Sequence, residues 1–550
     1  MAIVEQFGLC PDSGEDATLA VRDALEACRE RKDQCLIFPP GRYDFWPDKA
    51  TERYLFISNN TEGLKHIAFP LFDFDGFEIK GQGAVFVFHG PILPFAVVGS
   101  TDIRLSGFTV DWERPFHSEG RIAAVGDGWV DLEFSAAYPY KVTGCRLEFL
   151  GENGENYPFN NMLEFNPTRR ETAYMAQDNY GIQDRHEAAE LAPGRVRFTA
   201  GFSTTPTAGN VLVFGPNHRR CPAIFLDDSQ QVLLEDVTLH HCGGMGVIGQ
   251  RSTDITLRRL RVTPPPGKDR VLSLTADATH FVNCRGQIEI TDCLLENQMD
   301  DPLNVHGIYA KITARLSDRV LEVALIHGEQ LGIDLFAPGD AVELVKSGTL
   351  GTYHTGTITA VRRLNRQYTE LTLAEDLPAD VKMGDAAVCL DANPDVTVRG
   401  CTARGNRARG FLLSTSGQVL VENNTFHTPG AAILIAGDAN YWFESGPVRD
   451  VTIRNNHFDN CNYGVWGRAC VDICPEISTE HRHGTVYHRN IRIENNMFDI
   501  FDPRLLAAQC VAGLTFAGNT IRPSTAYPAP DAGGEAFAVT DCADVVIQPS

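Results

Sequence analysis

A short strand-like unit, in which two apolar residues alternate with polar ones, recurs along this 550-residue chain. Successive units begin 26, 129, 23, 33, 108, 23, 32, 40 and 23 residues apart, so three of the nine intervals equal 23. The ten units begin at Phe77, Ile103, Val232, Ile255, Ile288, Val396, Val419, Val451, Ile491 and Leu514. Such alternation predicts a strand with one buried face, and a recurrence of about 23 residues is typical of one coil of a solenoid. The sequence therefore predicts an all-β, right-handed parallel β-helix.

Pairs of asparagines occupy the same place in three of these units. They are Asn423-Asn424, Asn455-Asn456 and Asn495-Asn496, each followed two residues later by Phe426, Phe458 or Phe498. A side-chain amide at a tight corner can hydrogen-bond the backbone of a neighbouring coil, and Asn tolerates the left-handed backbone conformation of such corners. The pairs therefore predict a corner of the β-helix that is repeated from coil to coil.

Two of the intervals, from Ile103 to Val232 and from Ile288 to Val396, are too long for one coil and a loop. Both contain short alternating segments separated by turns, which is the pattern of antiparallel strands, and we predict a small β-barrel inserted in each. An amphipathic segment from Asp16 to Cys28 predicts a helix that caps the open N-terminal edge of the solenoid. The predicted division is 1–117, the N-terminal part of the β-helix with its cap; 118–217, a barrel; 218–307, the catalytic coils; 308–390, a barrel; and 391–550, the C-terminal part.

The chain is strongly acidic. Its 48 Lys and Arg against 71 Asp and Glu give a formal net charge of −23. A surface of that charge repels nucleic acids and anionic membranes, and no stretch approaches the ~20 apolar residues that span a bilayer. We therefore expect no nucleic-acid partner, no membrane span and a neutral or polar substrate.

The cellular location follows from weaker signals. The first residues, Met1 to Phe7, lack the basic and apolar regions of an export signal, which predicts a cytoplasmic protein unless a signal was removed. In that second case we expect a secreted or periplasmic bacterial protein. The 15 cysteines are spread along the chain, and we expect most to be reduced and buried. The sequence leaves the oligomeric state, including a homo-oligomer, open.

Three aspartates form the densest chemical signal. Asp300 and Asp301 are adjacent, and Asp277 precedes Asp300 by 23 residues, so that one coil predicts Asp277 stacked on Asp300. Carboxylates this close disfavour one another's ionisation, which keeps a proton on the group near neutral pH. Glycoside hydrolysis needs one protonated carboxyl and one or more ionised carboxylates. A structural role in turns or in Ca²⁺ binding is the alternative.

Further polar and aromatic residues surround the aspartates or lie on neighbouring loops. Trp442 lies on an insertion that lengthens its coil, where an indole could stack on the apolar face of a sugar. No Gly-rich phosphate motif and no trustworthy metal-ligand spacing occurs, so we predict neither a cofactor nor a metal. The residues predicted to bind substrate are His306, Asn304, Arg409, Trp442, Glu444, Asp438, His280 and His241.

Several longer strings carry a resemblance to a known family. With the aspartates and Asn304-Val-His306-Gly307, they are Tyr43-Asp-Phe-Trp-Pro, Ala68-Phe-Pro-Leu, Asp111-Trp-Glu-Arg-Pro-Phe and Arg169-Arg-Glu-Thr-Ala-Tyr-Met-Ala. Across essentially the whole chain, the sequence resembles glycoside hydrolase family 110 and, more distantly, the polygalacturonases. The resemblance implies an inverting exo-α-galactosidase that removes terminal α-1,3-linked galactose, including that of blood group B structures. It also implies that Asp300 is the general acid, with Asp277 and Asp301 as candidates for the base.

Two alternatives stay open at this stage. A polysaccharide lyase or polygalacturonase-like enzyme could use the same fold; the lyase would need Ca²⁺ and a Lys or Arg base. A non-catalytic glycan-binding solenoid would bind sugar without releasing galactose. The sequence does not distinguish a fucosylated, branched substrate from a linear α-1,3-galactosyl substrate, and it does not show which aspartate is the base.

Overall fold

The computed structural model describes residues 1–181, 186–216, 218–530 and 534–548. Its parallel strands wind into a right-handed β-helix with three faces, which we call A, B and C. Faces A and B belong to one 22-stranded sheet, in which the long strands Asp75–Phe88 and Thr101–Trp112 run along both faces. Face C is a separate 13-stranded sheet. The predicted fold class is confirmed.

The strand bounds follow the order of the coils. Besides the two long strands, face A contains Ala2–Ile3, Cys35–Phe38, Gln230–Glu235, Thr253–Arg258, Arg285–Thr291, Asp395–Arg399, Gln418–Glu422, Asp450–Arg454, His488–Glu494, Val511–Ala517 and Ala543–Ile547. Face B contains Gly41–Phe45, Thr238–Leu239, Arg261–Val262, Leu294–Glu296, Thr402–Arg404, Thr425–His427, His457–Asp459, Met497–Ile500 and Thr520–Pro523. Face C contains Thr51–Leu55, Gly63–Phe72, Leu93–Val98, Ile224–Asp227, Val247–Gln250, Thr279–Val282, Leu303–Ile308, Phe411–Leu413, Ile433–Ile435, Glu444–Ser445, Val471–Ile473, Leu506–Gln509 and Phe537–Thr540.

The corner between faces A and B carries the predicted asparagine ladder. The Oδ1 atom of Asn456 accepts hydrogen bonds from the backbone N and Nδ2 of Asn424, at 2.9 and 3.0 Å, and Asn496 bonds Asn456 in the same way. The ladder continues to Asn519. The residue before each of the three predicted ladder positions is an Asn with φ between 55° and 58°. Inside the β-helix, the ring of Phe458 stacks between those of Phe426 and Phe498, with centroid distances of 5.1 and 4.5 Å respectively.

The N-terminal edge is covered by the helix Thr18–Arg31, as the amphipathic pattern predicts. Val21, Ala24, Leu25 and Cys28 are all buried in the main core. The only other α-helix among the described residues is Thr479–Arg482, and 3₁₀ turns span Val4–Phe7, Pro47–Lys49, Asp178–Gly181 and Gly328–Gln330. None of the helices in this part of the chain has the length and apolar character needed to cross a membrane.

The first long interval folds into antiparallel sheets that leave the helix after face B. Its seven-stranded sheet contains Ser118–Gly126, Trp129–Phe134, Phe159–Asn166, Glu171–Thr172, His186–Ala192, Arg195–Ala200 and Val211–Pro216. A three-stranded sheet, Tyr140–Thr143, Arg146–Leu150 and Asn156–Tyr157, packs onto the same core. Among the described residues the larger sheet has an open strand order, with Glu171–Thr172 at one end and His186–Ala192 at the other. Residue 217, where the prediction ended this insertion, lies outside the described residues.

The second long interval forms a closed six-stranded barrel that leaves the helix at the end of face C. Its strands are Ala310–Arg315, Val320–Ala324, Ala341–Val345, Thr352–Arg363, Tyr368–Leu373 and Ala386–Cys389. The chain returns to the β-helix at the face A strand Asp395–Arg399. This strand pairs in parallel with Arg285–Thr291, the face A strand of the preceding coil. Both insertions therefore leave the stack of coils continuous.

Candidate active site

The three aspartates lie together at the edge of face C, where loops arriving from face B enter it. Asp277 precedes the strand Thr279–Val282, and Asp300 and Asp301 precede Leu303–Ile308 on the next coil. One carboxylate oxygen from each aspartate lies within 4.8 Å of the others. Parallel stacking of two coils thus brings into contact residues that are more than twenty positions apart.

The stacking differs by one residue from the prediction. Thr279 pairs with Leu303, and the backbone N of Ala278 donates to the carbonyl of Asp301, so Asp277 is stacked on Asp301 rather than on Asp300. This coil is one residue longer than the interval that other coils share, because the connections between faces vary in length. Asp300 consequently lies beside the stacked pair, and its side chain is the most exposed of the three.

Three arginines hydrogen-bond the trio. Arg219 Nη2 and Arg407 Nη1 each donate to a different oxygen of Asp300 at 2.8 Å. Arg409 donates to Asp301 from Nη2 at 2.7 Å, from Nε at 3.2 Å and from its backbone N at 3.0 Å. These guanidiniums place positive charge beside the carboxylates.

Burial determines where the trio holds a proton. Burial, together with the carboxylate of Asp300, raises the pKa of Asp277 to about 8. Burial also raises the pKa of Asp301 to about 7, although Arg409 opposes this shift. The cluster is therefore expected to retain a proton at neutral pH, as the sequence predicts.

A line of hydrogen bonds leads from Asp277 into the protein. His280 Nδ1 lies 2.6 Å from Asp277 Oδ2, and its Nε2 lies 2.9 Å from His306 Nε2. His306 Nδ1 lies 2.7 Å from the carbonyl oxygen of Gly307, to which it must donate, and its Nε2 lies 3.5 Å from Glu444 Oε1. Burial and the neighbouring His306 lower the pKa of His280 well below its ordinary value.

The trio opens into a cleft of about 860 Å³. The first insertion lines it with Asp178, whose carboxylate accepts two 2.7 Å bonds from Arg407 and one of 3.1 Å from Trp466 Nε1. The second insertion lines it with Glu329. Along face C the cleft continues towards Asp472, which pairs with Arg468. Both insertions therefore help to form the walls of the cleft.

The predicted binding residues divide into two groups. Asn304, Arg409, Trp442, Glu444, Asp438 and His280 line the cleft, and Trp442 leaves 44% of its surface exposed. Asn304 Oδ1 has no hydrogen-bond partner among the described protein atoms. Asp438 uses its carboxylate to accept the backbone N–H groups of Asn440, Tyr441 and Trp442, so it orders the loop that carries the indole.

His241 and His306 are not part of the cleft lining, contrary to the sequence prediction. His241 is fully buried between the backbone N of Phe116 and the carbonyl of Ser273. His306 is buried behind His280. Neither ring is therefore available to bind a sugar hydroxyl in this arrangement.

The distance between carboxyl oxygens of the trio bears on the inverting mechanism. Acid and base carboxyls in inverting enzymes are ordinarily roughly 6.5–9.5 Å apart, whereas oxygens of this trio lie within 4.8 Å. The 4.8 Å limit joins one oxygen of each side chain, whereas the ordinary spacing is measured between whole carboxyl groups.

Known proteins share both the domain pattern and the full-length sequence. Family models match residues 118–212 ("GLAA-B beta-barrel domain I"), 320–387 ("GLAA-B beta-barrel domain II") and 380–474 ("Right handed beta helix region"). Alpha-1,3-galactosidase A of Shewanella woodyi is 40% identical over 528 residues, covering 96% of this chain and 86% of that relative. The chain belongs to the α-1,3-galactosidase family. It is accordingly a glycoside hydrolase with galactosidase activity.

Other members of the α-1,3-galactosidase family are similar over the same length. Alpha-1,3-galactosidase B of Bacteroides thetaiotaomicron is 35% identical, with 99% of this chain and 89% of the relative covered. Among solved structures, a family 28 exopolygalacturonase of Yersinia enterocolitica aligns with a TM-score of 0.43 and 11% identity, covering 99% of this chain and 77% of that one.

The residues that line the described part of the cleft and were not predicted from the sequence include Arg219, Arg407, Asp178 and Trp466. The sequence did contain a signal for the loop that carries Arg407. The 108-residue interval across the second insertion also separates Asp301 from Arg409, so these two residues occupy equivalent positions on adjacent coils. Arg219 and Asp178 come from connections outside the repeating coils. No periodicity in the chain relates them to the aspartates.

The raised pKa of Asp277 predicts a pH dependence of stability. A carboxyl whose pKa rises from 3.8 to about 8 on folding stabilises the protein below its unfolded pKa, and this contribution is lost as the pH rises through the folded pKa. Between pH 5 and 8 we expect the free energy of unfolding to fall less steeply in Asp277→Asn than in the wild type, by up to about 1.4 kcal/mol per pH unit.

Urea denaturation at four pH values between 5 and 8 measures these slopes. Asp131→Asn is the matched control, because hydrogen bonding by Arg197 lowers the pKa of Asp131 and this carboxyl does not titrate in that range. Identical slopes for the wild type and Asp277→Asn would contradict the assignment of a retained proton to Asp277.

Proposed function

We propose that this galactosidase is an exo-acting, inverting enzyme that hydrolyses terminal α-1,3-linked galactose from glycans such as blood group B or linear α-1,3-galactosyl structures. The observation that carries the proposal is the aspartate trio in a cleft on face C. The names of the full-length relatives supply the linkage, and the resemblance to glycoside hydrolase family 110 supplies the inverting course.

The proposed roles follow from exposure and from the resemblance. Asp300, whose side chain is the most exposed of the trio, takes up a proton from the water of the cleft and then gives it to the glycosidic oxygen. Asp277 or Asp301 takes a proton from the attacking water, whose oxygen bonds to the anomeric carbon as the bond to the leaving oxygen breaks. The carboxylate acting as base must be ionised when substrate is bound.

The shape of the cleft supports exo action. Beside the trio, Arg219 Nη1 donates to the carbonyl of Asn59, and the backbone N of Thr61 donates to the carbonyl of Arg219. These contacts hold the segment of Asn59 and Thr61 beside the trio as one part of the lining, and the cleft extends along face C towards Asp472. A terminal galactose at the trio would therefore direct the rest of the glycan towards Asp472, with Trp442 and Asn304 available for stacking and hydrogen bonding.

The charges of the lining support a neutral sugar over a uronate. The arginines that line the described part of the cleft each hydrogen-bond an aspartate: Arg219 and Arg407 with Asp300, Arg409 with Asp301, and Arg468 with Asp472. A polygalacturonase-like enzyme or a lyase would need cationic groups for the substrate carboxylate. These guanidiniums are already engaged by the protein.

Proton NMR of the reaction with α-1,3-galactobiose tests the proposal. We expect galactose to be released with the β-anomer formed first, and the same rate in EDTA. Absence of released galactose would leave the glycan-binding solenoid, and an unsaturated product formed only with Ca²⁺ would establish the lyase. If α-galactose formed first, the inverting course would be contradicted, but the galactosidase activity would not. A parallel assay with the fucosylated blood group B trisaccharide compares branched with linear substrates.

A further inference from the structure

We propose that His280, His306 and Glu444 form a proton relay that sets the protonation state of Asp277, with His306 as a positioning residue that never touches the substrate. The inference rests on the proposed function, in which Asp277 is a candidate for the base. It assigns a role to His306, which does not line the cleft, and to its buried neighbour His280, which does.

The tautomers of the two histidines follow from one backbone contact. The carbonyl of Gly307 can only accept, so His306 Nδ1 carries a hydrogen in both protonation states. When His306 is neutral, its Nε2 accepts from His280 Nε2–H, which leaves His280 Nδ1 with a lone pair. The 2.6 Å contact between His280 Nδ1 and Asp277 Oδ2 then requires a proton on Asp277.

A second arrangement contains the same number of protons. Asp277 gives its proton to His280 Nδ1, and His280 gives its Nε2 proton to His306 Nε2. The result is an ionised Asp277, a neutral His280 and a protonated His306. The positive charge on His306 then faces Glu444 Oε1 at 3.5 Å. Asp277 thereby becomes able to act as a base.

Burial makes this relay the internal route for the proton. His280 and His306 are 1% and 2% exposed, whereas the side chain of Glu444 is 20% exposed and lines the cleft. Glu444–Ser445 pairs directly with the end of the strand that carries His306. In this relay a proton passes from Asp277 through His280 to His306, whose Nε2 lies 3.5 Å from the partly exposed Glu444.

The charged groups around the relay determine which of its residues holds the proton. Asp300 and Glu444 face Asp277 and favour its proton, whereas Arg219 and Arg409 favour its ionised form. His280 faces His306 and Arg219, which disfavour a charge on its ring, and Glu444 and Asp300, which oppose them. Because positive charge on His280 is disfavoured by burial, the proton rests either on Asp277 or on His306.

The test is the pH dependence of kcat and KM for α-1,3-galactobiose in His306→Gln. The Gln Oε1 atom can still accept from His280 Nε2–H, but the amide cannot take a proton. Only the first arrangement, with the proton on Asp277, can then form. We expect the acid limb of the kcat profile to move to higher pH by about one unit, with KM changed less than about twofold. Activity is then lost preferentially at low pH.

Glu444→Gln is a second variant at a more exposed position. It removes the negative charge 3.5 Å from His306 Nε2, but it also removes a charge that favours the proton on Asp277, so we expect a shift of the acid limb in the same direction that is smaller than in His306→Gln. The matched control is His488→Asn, since His488 is also buried, its Nδ1 accepts from the backbone N of Val448, and it does not line the cleft. The control should leave the position of the limb unchanged.

The outcomes are separable. A uniform loss of kcat in His306→Gln and Glu444→Gln, with the acid limb in its wild-type position, would overturn the relay and leave His306 a structural residue. A shift in the control as large as in both variants would overturn it as well. Failure of the proposed function is recognised independently, because the wild type would then release no galactose in the same assay.

Discussion

Asp300→Asn is expected to reduce kcat for α-1,3-galactobiose by about 10³-fold or more, while galactose binding changes little. The amide has the size of the carboxyl, and its single oxygen can still accept from one of the two arginines that hydrogen-bond Asp300 at 2.8 Å, Arg219 and Arg407, whereas its NH2 group cannot accept from the other. It cannot donate a proton to a leaving oxygen. Steady-state kinetics and calorimetry with galactose measure the two effects separately.

The leaving group distinguishes an acid from a base at this position. A 2,4-dinitrophenyl α-galactoside leaves without protonation, so Asp300→Asn should lose far less activity on it than on the disaccharide. Asp277→Asn, which removes a candidate base, should lose activity on both substrates. Equal losses in Asp300→Asn on both substrates would contradict its role as acid, and near-wild-type turnover of the disaccharide would contradict any catalytic role.

Asp227→Asn is the matched control for this experiment. Asp227 ends the face C strand Ile224–Asp227 and pairs with Arg251 at 2.8 Å, so it is also a carboxylate held by an arginine on the same face. It does not line the cleft of the trio. Its substitution should therefore preserve the ratio of the rates on the two substrates.

Asn456→Ala is expected to lower the free energy of unfolding by about 3 kcal/mol or more, since several buried polar groups lose partners at once. The side chain of Asn456 accepts from Asn424 and donates to the carbonyl of Val421 and to Asn496. These groups lie at a corner where water cannot replace the lost amide. Urea denaturation measures the change.

Asn455→Gly is the matched control at the adjacent position. Asn455 is exposed and holds φ at 55°, which glycine adopts without strain. We expect a change of less than about 1 kcal/mol. A similar destabilisation in both variants would show that backbone conformation, rather than the ladder, accounts for the effect of Asn456→Ala.

The repeating parts of this molecule could be predicted from the sequence. The recurring interval between units predicts the coils, the asparagine pairs predict the ladder, and the spacing of Val21, Ala24, Leu25 and Cys28 predicts the cap. The proximity of the aspartates follows from the same arithmetic, although the coil that stacks Asp277 on Asp301 is one residue longer than that interval. The 23-residue period is taken from other coils, so it does not reveal that one connection is a single residue longer.

The remainder was decided by tertiary structure. Asp178 meets Arg407 across 229 residues of sequence, and Arg219 reaches Asp300 from the connection that follows the first insertion. The tautomers of His280 and His306 depend on the carbonyl of Gly307, whose direction no residue pattern reveals. Coil stacking repeats a local backbone geometry, so the sequence by itself determines the solenoid and the place of the trio. The insertions reach the cleft through packing without periodicity, so only the tertiary structure shows which side chains hold the carboxylates and close the site.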